Sequence, residues 1–341
     1  MVAQRPPVSF VFCFAILIVH QAALGFTLEF RTVKVEPPSR IDAIAYLGEG
    51  VVIAGSRGTR TSGLTGYVHV SKDYGVTWRT VGNITGADFI TCLCSGANGI
   101  GYLLTGGDVH VWKTTDYGET WADLGQVSKA ANGGHFANAY GMMMTRKGTL
   151  LVADADGNGG HIHRSTDQGA TWEDMGAISP RPLYRLNKIK DGVIVNGWAG
   201  HVYKSTDDGV TWIDMGQVSP APLYAIEYLE DDGTVLIATE DGHVFRSTDN
   251  GTTWNDAGKV GDAADDFAWL GGARVLYSTY AGTRSVYLSE DSGVSWKEIA
   301  GVPLEPDDWL DHFITVHDRD VRMVVGGTKK GLIVYSRIPT R

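Results

Sequence analysis

Short apolar runs separated by turns rich in glycine and aspartate recur along the whole chain. A clear unit has runs at 183–189, 192–196, 201–205 and 211–215. Apolar runs of this length bounded by turn residues are typical of β-strands. Because the same order of strand, turn and strand returns in every unit, the pattern predicts an all-β protein built from four-stranded repeats.

A second pattern marks the repeats: the motif Ser/Thr-x-Asp-x-Gly-x-x-Trp occurs six times without change at its defining positions. Successive motif aspartates lie 43, 51, 40, 42 and 42 positions apart, and they are Asp73, Asp116, Asp167, Asp207, Asp249 and Asp291. This spacing is the length of one four-stranded blade of a β-propeller. We therefore predict a propeller in which each motif forms the turn between the third and fourth strands of a blade.

The chemistry of the motif is local. The Asp carboxylate and the Ser/Thr hydroxyl can hydrogen-bond the backbone of a tight turn, and glycine supplies a positive φ. The tryptophan then begins the next strand and can bury its ring between blades. We expect these aspartates to be structural rather than catalytic.

The chain ends also bear on the blade number. After the sixth motif, apolar runs remain at 311–316, 321–326 and 332–337, which gives three strands of a further blade. Near the other end, the stretch Phe30-Arg31-Thr32-Val33 copies 78–81, with phenylalanine at the tryptophan position. We predict a seven-bladed β-propeller whose N-terminal strand closes the last blade, which would remove the open sheet edges; six blades are the alternative.

The first 25 residues have the pattern of a secretory signal peptide. Arg5 precedes an apolar run at 10–19, and Ala23-Leu24-Gly25 resembles a cleavage site. We predict a signal peptide at 1–25, a single propeller domain at 26–341 and a secreted or extracellular protein. The apolar run is too short to span a membrane, and no later stretch is long enough.

Composition narrows the partners. The net charge is −10 with no run of Lys or Arg, which argues against nucleic acid. Cys13 would leave with the signal peptide, and Cys92 and Cys94 are too close together for an unstrained disulfide. Asn83 and Asn250 begin glycosylation triplets. We expect a monomeric glycoprotein whose partner is a glycan or an extracellular protein.

In a propeller, the connections between blades and the loops between second and third strands meet on one face, around the central channel. The residues predicted there combine charge with aromatic rings, a combination that binds sugars through ring stacking and bidentate hydrogen bonds. Among them we single out as ligand-binding candidates Arg40, Arg57, Trp198, Glu240, Tyr280 and Asp311. The catalytic candidates are His135, Tyr184 and Arg185.

The six motifs resemble the Asp-box (sialidase-type) repeat family over nearly the whole mature chain. For sialidases, the resemblance implies a carboxylate-gripping arginine in Phe/Tyr-Arg-Ile-Pro; here Arg40-Ile41 matches, but Asp42 replaces the proline. That family also has an acidic residue in the loop after the next arginine, but no carboxylate follows Arg57 in this loop. The match is therefore not close to true sialidases.

Three functions follow from this reading. The first is a secreted propeller that binds a carbohydrate or protein without assured catalysis. The second is a polysaccharide lyase on uronic-acid polymers, in which Arg185 would neutralise the uronate and His135 or Tyr184 would move the proton. The third is a sialidase-like glycosidase.

One loop has features of a calcium site. Asp154, Asp156 and Asn158 alternate with small residues, as in the opening half of a Ca²⁺ loop, although position 12 is Ser165 rather than glutamate. The pattern therefore predicts either a calcium site or a simple turn rich in glycine and aspartate. Histidines recur at the start of the third strand in successive repeats, at 161, 201 and 243, and repetition explains them better than zinc binding.

Overall fold

The computed structural model describes residues 26–58, 65–85, 89–106, 109–128, 139–155 and 159–339. These residues form 28 β-strands and no helix, arranged as seven four-stranded antiparallel sheets. The first strands of the seven sheets contact one another in ring order around a central channel. The protein is a seven-bladed β-propeller, as the repeat spacing predicts, and the six-bladed alternative is wrong. In the described part of the chain, no helix is long and apolar enough to cross a membrane.

The blades follow the chain in order. Blade 1 comprises β2 (Ile41–Gly48), β3 (Val51–Ser56), β4 (Thr65–Ser71) and β5 (Arg79–Thr85). Blade 2 comprises β6 (Ile90–Ser95), β7 (Gly101–Thr105), β8 (His110–Thr114) and β9 (Ala122–Gln126). Blade 3 comprises β10 (Gly141–Met144), β11 (Leu150–Ala155), β12 (Gly160–Ser165) and β13 (Glu173–Ser179). Blades 4 to 6 comprise β14 (Leu183–Ile189), β15 (Gly192–Gly197), β16 (His201–Ser205) and β17 (Ile213–Gln217); β18 (Leu223–Leu229), β19 (Thr234–Thr239), β20 (His243–Ser247) and β21 (Asn255–Lys259); and β22 (Ala264–Gly271), β23 (Arg274–Thr279), β24 (Val286–Ser289) and β25 (Lys297–Ile299).

Blade 7 is built from both ends of the described chain. It comprises β26 (Leu310–Asp318), β27 (Val321–Thr328), β28 (Leu332–Arg337) and, at its outer edge, β1 (Arg31–Lys34). The strand β1 pairs antiparallel with β28, from Arg31 opposite Tyr335 to Lys34 opposite Leu332. Phe30 packs into the core between blades 6 and 7, beside Leu276 and Val334. The predicted closure is confirmed.

Each motif turn is held by the hydrogen bonds that its residue types allow. In blade 4, the Ser205 hydroxyl donates to Asp207 at 2.8 Å, and Asp207 accepts from the Thr211 backbone N–H at 2.9 Å and from its hydroxyl at 2.6 Å. Because Thr211 belongs to this turn, the fourth strand begins at Ile213, two residues later than the sequence predicts. Gly209 has φ +85°, and a Cβ there would lie 2.6 Å from Leu151 of the preceding blade. The glycine therefore serves both the turn and the packing between blades.

A β-bulge lies near the start of the first strand in six of the seven blades. In blade 6, Ala264 pairs with Thr279 and Asp266 pairs with Ser278, so that Asp265 is the extra residue. Equivalent shifts occur in blades 1, 2, 4, 5 and 7. Because a bulge re-aims side chains, it changes which residues of these strands face the channel.

Candidate ligand-binding site at the channel mouth

A cavity of about 550 Å³ opens at the end of the channel where the first strands begin. Every blade contributes to its wall the residue at the same repeat position, directly after a fully or almost fully buried apolar residue. These seven residues are Asp42, Thr91, Tyr140, Tyr184, Tyr224, Asp265 and Asp311. We call them the mouth ring. The ring is polarised, because blades 3 to 5 supply tyrosines whereas blades 6, 7 and 1 supply aspartates.

Three further wall residues, Arg57, Trp198 and Tyr280, directly follow the second strand of their blades. The backbone N–H of the residue after that strand donates to a carbonyl just before the first strand, for example from Trp198 to Pro182 at 2.9 Å and from Tyr280 to Ala263 at 3.0 Å. Arg57 and Glu240 make the equivalent backbone hydrogen bond in their own blades. Four of the predicted ligand-binding residues therefore occupy one repeat position in four different blades.

The aromatic side of the cavity is continuous. Tyr184 lies at its centre, with ring centroids 5.5 Å from Tyr140, 5.1 Å from Tyr224 and 5.9 Å from Trp198. The rings of Tyr184 and Trp198 are nearly parallel, at 24°, and Trp198 remains 49% exposed. An exposed tryptophan stacked on a buried tyrosine offers a flat apolar surface for a ligand ring.

The opposite side is charged. Arg40 donates through Nε to Asp311 Oδ2 and through Nη2 to Asp311 Oδ1 at 2.6 Å, and its Nε also lies 2.9 Å from Asp42. Arg57 Nε donates to Asp42 at 2.7 Å, and its guanidinium lies 4.9 Å from the ring centroid of Phe89. Two arginines are thus held in place at the cavity wall by two carboxylates.

These contacts shift the pKa values of the groups involved. Burial raises the pKa of Asp42 to about 6, although Arg40 and Arg57 both act to lower it. Burial alone would lower the pKa of Arg40, but Asp311 and Asp42 outweigh burial and raise it. The guanidinium is therefore always charged, whereas Asp42 titrates close to neutral pH.

A third arginine reaches the cavity from blade 4. Arg185 Nη1 lies 3.0 Å from His312 Nε2, and His312 Nδ1 lies 2.7 Å from Asp266. In this geometry Asp266 accepts a hydrogen bond from the Nδ1–H of His312, which leaves Nε2 to accept a hydrogen bond from the arginine. Although burial acts to raise the pKa of Asp266, His312 and Arg185 lower it, so the carboxylate is charged. The Asp266–His312 pair therefore positions Arg185.

Asp265 differs from the other acids of the mouth ring. Its Oδ2 atom is buried without a hydrogen-bond partner among the described residues. Burial, together with repulsion from Asp311, raises the pKa of Asp265 well above its ordinary value. A protonated carboxyl at this place can donate a hydrogen bond as well as accept one.

Tyr184, a predicted catalytic residue, is also in the cavity. Burial and the neighbouring Tyr224 raise its pKa. The phenol is therefore protonated at neutral pH, which suits hydrogen-bond donation and ring stacking better than proton abstraction. Glu240 is not among the residues that line the cavity, but its carboxylate interacts with the hydroxyl of Tyr224, which does line it.

The structure brings together most of the predicted site. The cavity wall contains Arg40, Arg57, Tyr184, Arg185, Trp198, Tyr280 and Asp311, and their roles in binding or catalysis stay predictions. His135 lies outside the described residues. Phe89, Tyr140 and Trp309 line the cavity but were not among the candidates. Alignment of the repeats on the buried apolar residue at the start of each blade would have found all three.

The calcium loop is described only in part, because Asp156 and Asn158 lie outside the described residues. Asp154 is fully buried in β11, where its Oδ2 lies 3.1 Å from His163 Nε2. No group of three or more His, Cys, Asp or Glu residues within the described ranges could hold a metal. Calcium therefore remains a prediction from the sequence.

The recurrent histidines have a structural partner. His161, His201 and His243 each place Nδ1 3.0 to 3.1 Å from the aspartate thirteen positions later, on the neighbouring fourth strand. His110 of blade 2 makes the same contact with Asp123 at 3.1 Å. These pairs lie within separate blades, as repetition of one unit predicts.

No protein-family model matches the chain, and no curated protein matches it. Solved structures do. YCF48 bound to D1 peptide is 14% identical, with a TM-score of 0.69 over 96% of this chain and 100% of that one. YCF48 from Cyanidioschyzon merolae is 11% identical, with a TM-score of 0.65 over 91% and 98%. Virginiamycin B lyase from Staphylococcus aureus is 11% identical, with a TM-score of 0.70 over 92% and 100%. At such identities the likeness shows a shared β-propeller fold.

Proposed function

We propose that this protein is an exported binding protein that takes an acidic saccharide into the channel-mouth cavity without transforming it. The observation that carries the proposal is the polarity of the mouth ring, with tyrosines on one side and arginine–aspartate pairs on the other. A sugar acid has the matching polarity, because the ring carbons present an apolar face and the carboxylate accepts bidentate hydrogen bonds.

In this proposal each side has its own task. Tyr184 and Trp198 stack against the sugar ring, and the guanidinium groups of Arg40, Arg57 and Arg185 receive the carboxylate. The arginines are held in place by Asp42, Asp311 and His312 before the ligand arrives. Such preorganisation reduces the entropy that binding would otherwise cost.

A peptide is the second candidate ligand. It is favoured by the YCF48 structure that holds a D1 peptide and shares this fold over nearly the whole chain. The same cavity would receive a carboxylate of the peptide at the arginines and an apolar side chain at Trp198. Arrays of glycans and of peptides, probed with the same labelled protein, separate the two ligand classes.

Catalysis as a uronate lyase is the alternative that the cavity supports less well. β-Elimination needs a group that removes the C5 proton, and the raised pKa of Tyr184 opposes that role. The test is to incubate the protein with polygalacturonate and to follow absorbance in the unsaturated-sugar band. The proposal expects no increase; a steady increase that Tyr184→Phe abolishes would contradict it.

The direct test of binding is calorimetric titration with galacturonate, glucuronate and sialic acid. We expect saturable binding of at least one of them, and at least tenfold weaker binding by Trp198→Ala, which removes the exposed stacking surface. Ile213→Ala is the control, because Ile213 is also exposed but lies on the fourth strand of blade 4. Absence of binding to every acidic saccharide, with normal folding, would refute the proposal.

A further inference from the structure

A second cavity of about 290 Å³ lies on the same face, between blades 6 and 7. Its wall is formed by the loop between β23 and β24, by the end of β25 and by the segment that leads into β26. Loops between second and third strands and connections between blades both belong to the channel-mouth face. The cavity, which we call the side cavity, therefore opens beside the channel mouth.

Two polar atoms of residues lining the side cavity are buried without a hydrogen-bond partner among the described residues: Arg284 Nε, a donor, and Asp308 Oδ2, an acceptor. Asp308 is only 3% exposed, and its other oxygen accepts from the backbone N–H groups of Trp309 and Lys330, both at 3.0 Å. The Thr328 side chain is a further neighbour of the same carboxyl and acts to lower its pKa, although burial outweighs this effect and raises the pKa.

Unpaired buried polar atoms are costly and uncommon. A ligand that carries both hydrogen-bond acceptors and donors fits such a pair. A sugar has these groups, because a hydroxyl oxygen can accept from Arg284 and a hydroxyl hydrogen can be donated to Asp308.

The side cavity and the channel-mouth cavity share a wall. Trp309 lines the channel mouth, where its ring centroid lies 6.3 Å from that of Tyr280. The guanidinium of Arg284, which lines the side cavity, lies 5.6 Å from the same tryptophan centroid. The contact between Trp309 and Arg284 therefore joins the walls of the two cavities.

We propose that the ligand is an acidic oligosaccharide rather than a monosaccharide, with one unit in the channel mouth and a neighbouring unit in the side cavity, hydrogen-bonded to Arg284 and Asp308. This inference rests on the proposed function and adds the size of the ligand to it. Trp309 lies where the chain passes from one cavity to the other.

The experiment compares galacturonate with its dimer and trimer, titrated calorimetrically into the wild-type protein and Asp308→Asn. The substitution keeps Oδ1 for the two backbone donors but replaces the unpaired acceptor with a donor. We expect the wild-type affinity to rise about tenfold or more from monomer to trimer, and Asp308→Asn to lose most of that rise while binding the monomer normally. Asp320→Asn, an exposed carboxylate in the turn between β26 and β27, is the matched control.

Arg284→Lys provides a second variant, which retains the positive charge beside Asp307 but lacks the Nε–H donor. It should show the same selective loss. Equal affinities for monomer and trimer in the wild type, or a full rise in both variants, would overturn the side-cavity proposal and leave the channel-mouth site intact. If the wild type binds none of the three galacturonates, this inference fails, whereas the proposed function fails only if glucuronate and sialic acid are not bound either.

Discussion

The closure of the ring can be tested at a single side chain, Phe30. It precedes β1 and occupies the place that the motif tryptophan has in other blades. The side chain is only 5% exposed and packs between blades 6 and 7. A buried phenylalanine removes about 150–250 Å² from water, which at about 25 cal/mol per Å² is worth roughly 4–6 kcal/mol. Since the unfolded chain already buries part of this area, we expect Phe30→Ala to lower the free energy of unfolding by about 3–5 kcal/mol.

The assay is urea unfolding followed by tryptophan fluorescence, with Arg31→Ala as the control. Arg31 is exposed and is the next residue, at the start of β1, so its truncation should change the free energy of unfolding by less than about 0.5 kcal/mol. Deletion of 27–35 should be more severe, because it exposes the edge of β28 and favours aggregation. Equal unfolding curves for Phe30→Ala and Arg31→Ala would refute the role given to the N-terminal segment.

Three further predictions follow from the turns and the buried acids. Asp207→Ala should lower the free energy of unfolding by about 1–2 kcal/mol through lost turn hydrogen bonds while ligand affinity stays unchanged, and loss of binding by a folded variant would move the site to the opposite face. Burial and repulsion from Asp266 raise the pKa of Glu227 from 4.5 to about 8, so the stability that its proton contributes is fully present below pH 4.5 and is lost as pH rises from 4.5 to 8. Glu227→Gln should therefore be more stable than wild type at pH 8 in urea unfolding, and equal curves would contradict this. An anionic ligand competes for the arginines that favour the ionised form of Asp42, so the pKa of Asp42 should rise above about 6 in the complex. Ligand affinity should therefore fall as pH rises from 6 to 8. Asp42→Asn should flatten this pH dependence in calorimetric titrations, and an unchanged slope would contradict the prediction.

The fold could be predicted because the repeat constrains it at several levels. The spacing of the motif aspartates sets the blade length, and the match between 30–33 and 78–81 identifies the closing strand. The residue types of each motif also indicate one kind of turn, as Ser205, Asp207 and Gly209 show through the hydroxyl–carboxylate hydrogen bond and the positive φ of the glycine. Strand bounds differ mainly where turn hydrogen bonds extend beyond the apolar pattern, as at Thr211.

The site was harder to predict because bulges change which residues face the channel. If side chains simply alternated along the strand, Asp265 and Asp266 would point to opposite sides of the sheet. Because Asp265 is the extra residue of a bulge, both contribute to the site: Asp265 lines the cavity, and Asp266 supports Arg185 through His312. Pairings such as Arg40 with Asp311 join residues 271 positions apart. Local spacing does not contain that information, since it depends on how the ring closes.

The central claim, that the charged side of the channel mouth binds an acidic saccharide, is tested most directly at Arg185. Its guanidinium lines the cavity and is positioned by His312, and hydrogen bonds to charged groups are worth about 1.5–3 kcal/mol. We predict that Arg185→Ala weakens calorimetric binding of trigalacturonate by about 10- to 100-fold, whereas Lys147→Ala, an exposed cation in the β10–β11 turn on the opposite face, leaves it unchanged. Equal affinities for the two variants, with equal unfolding curves, would contradict the claim.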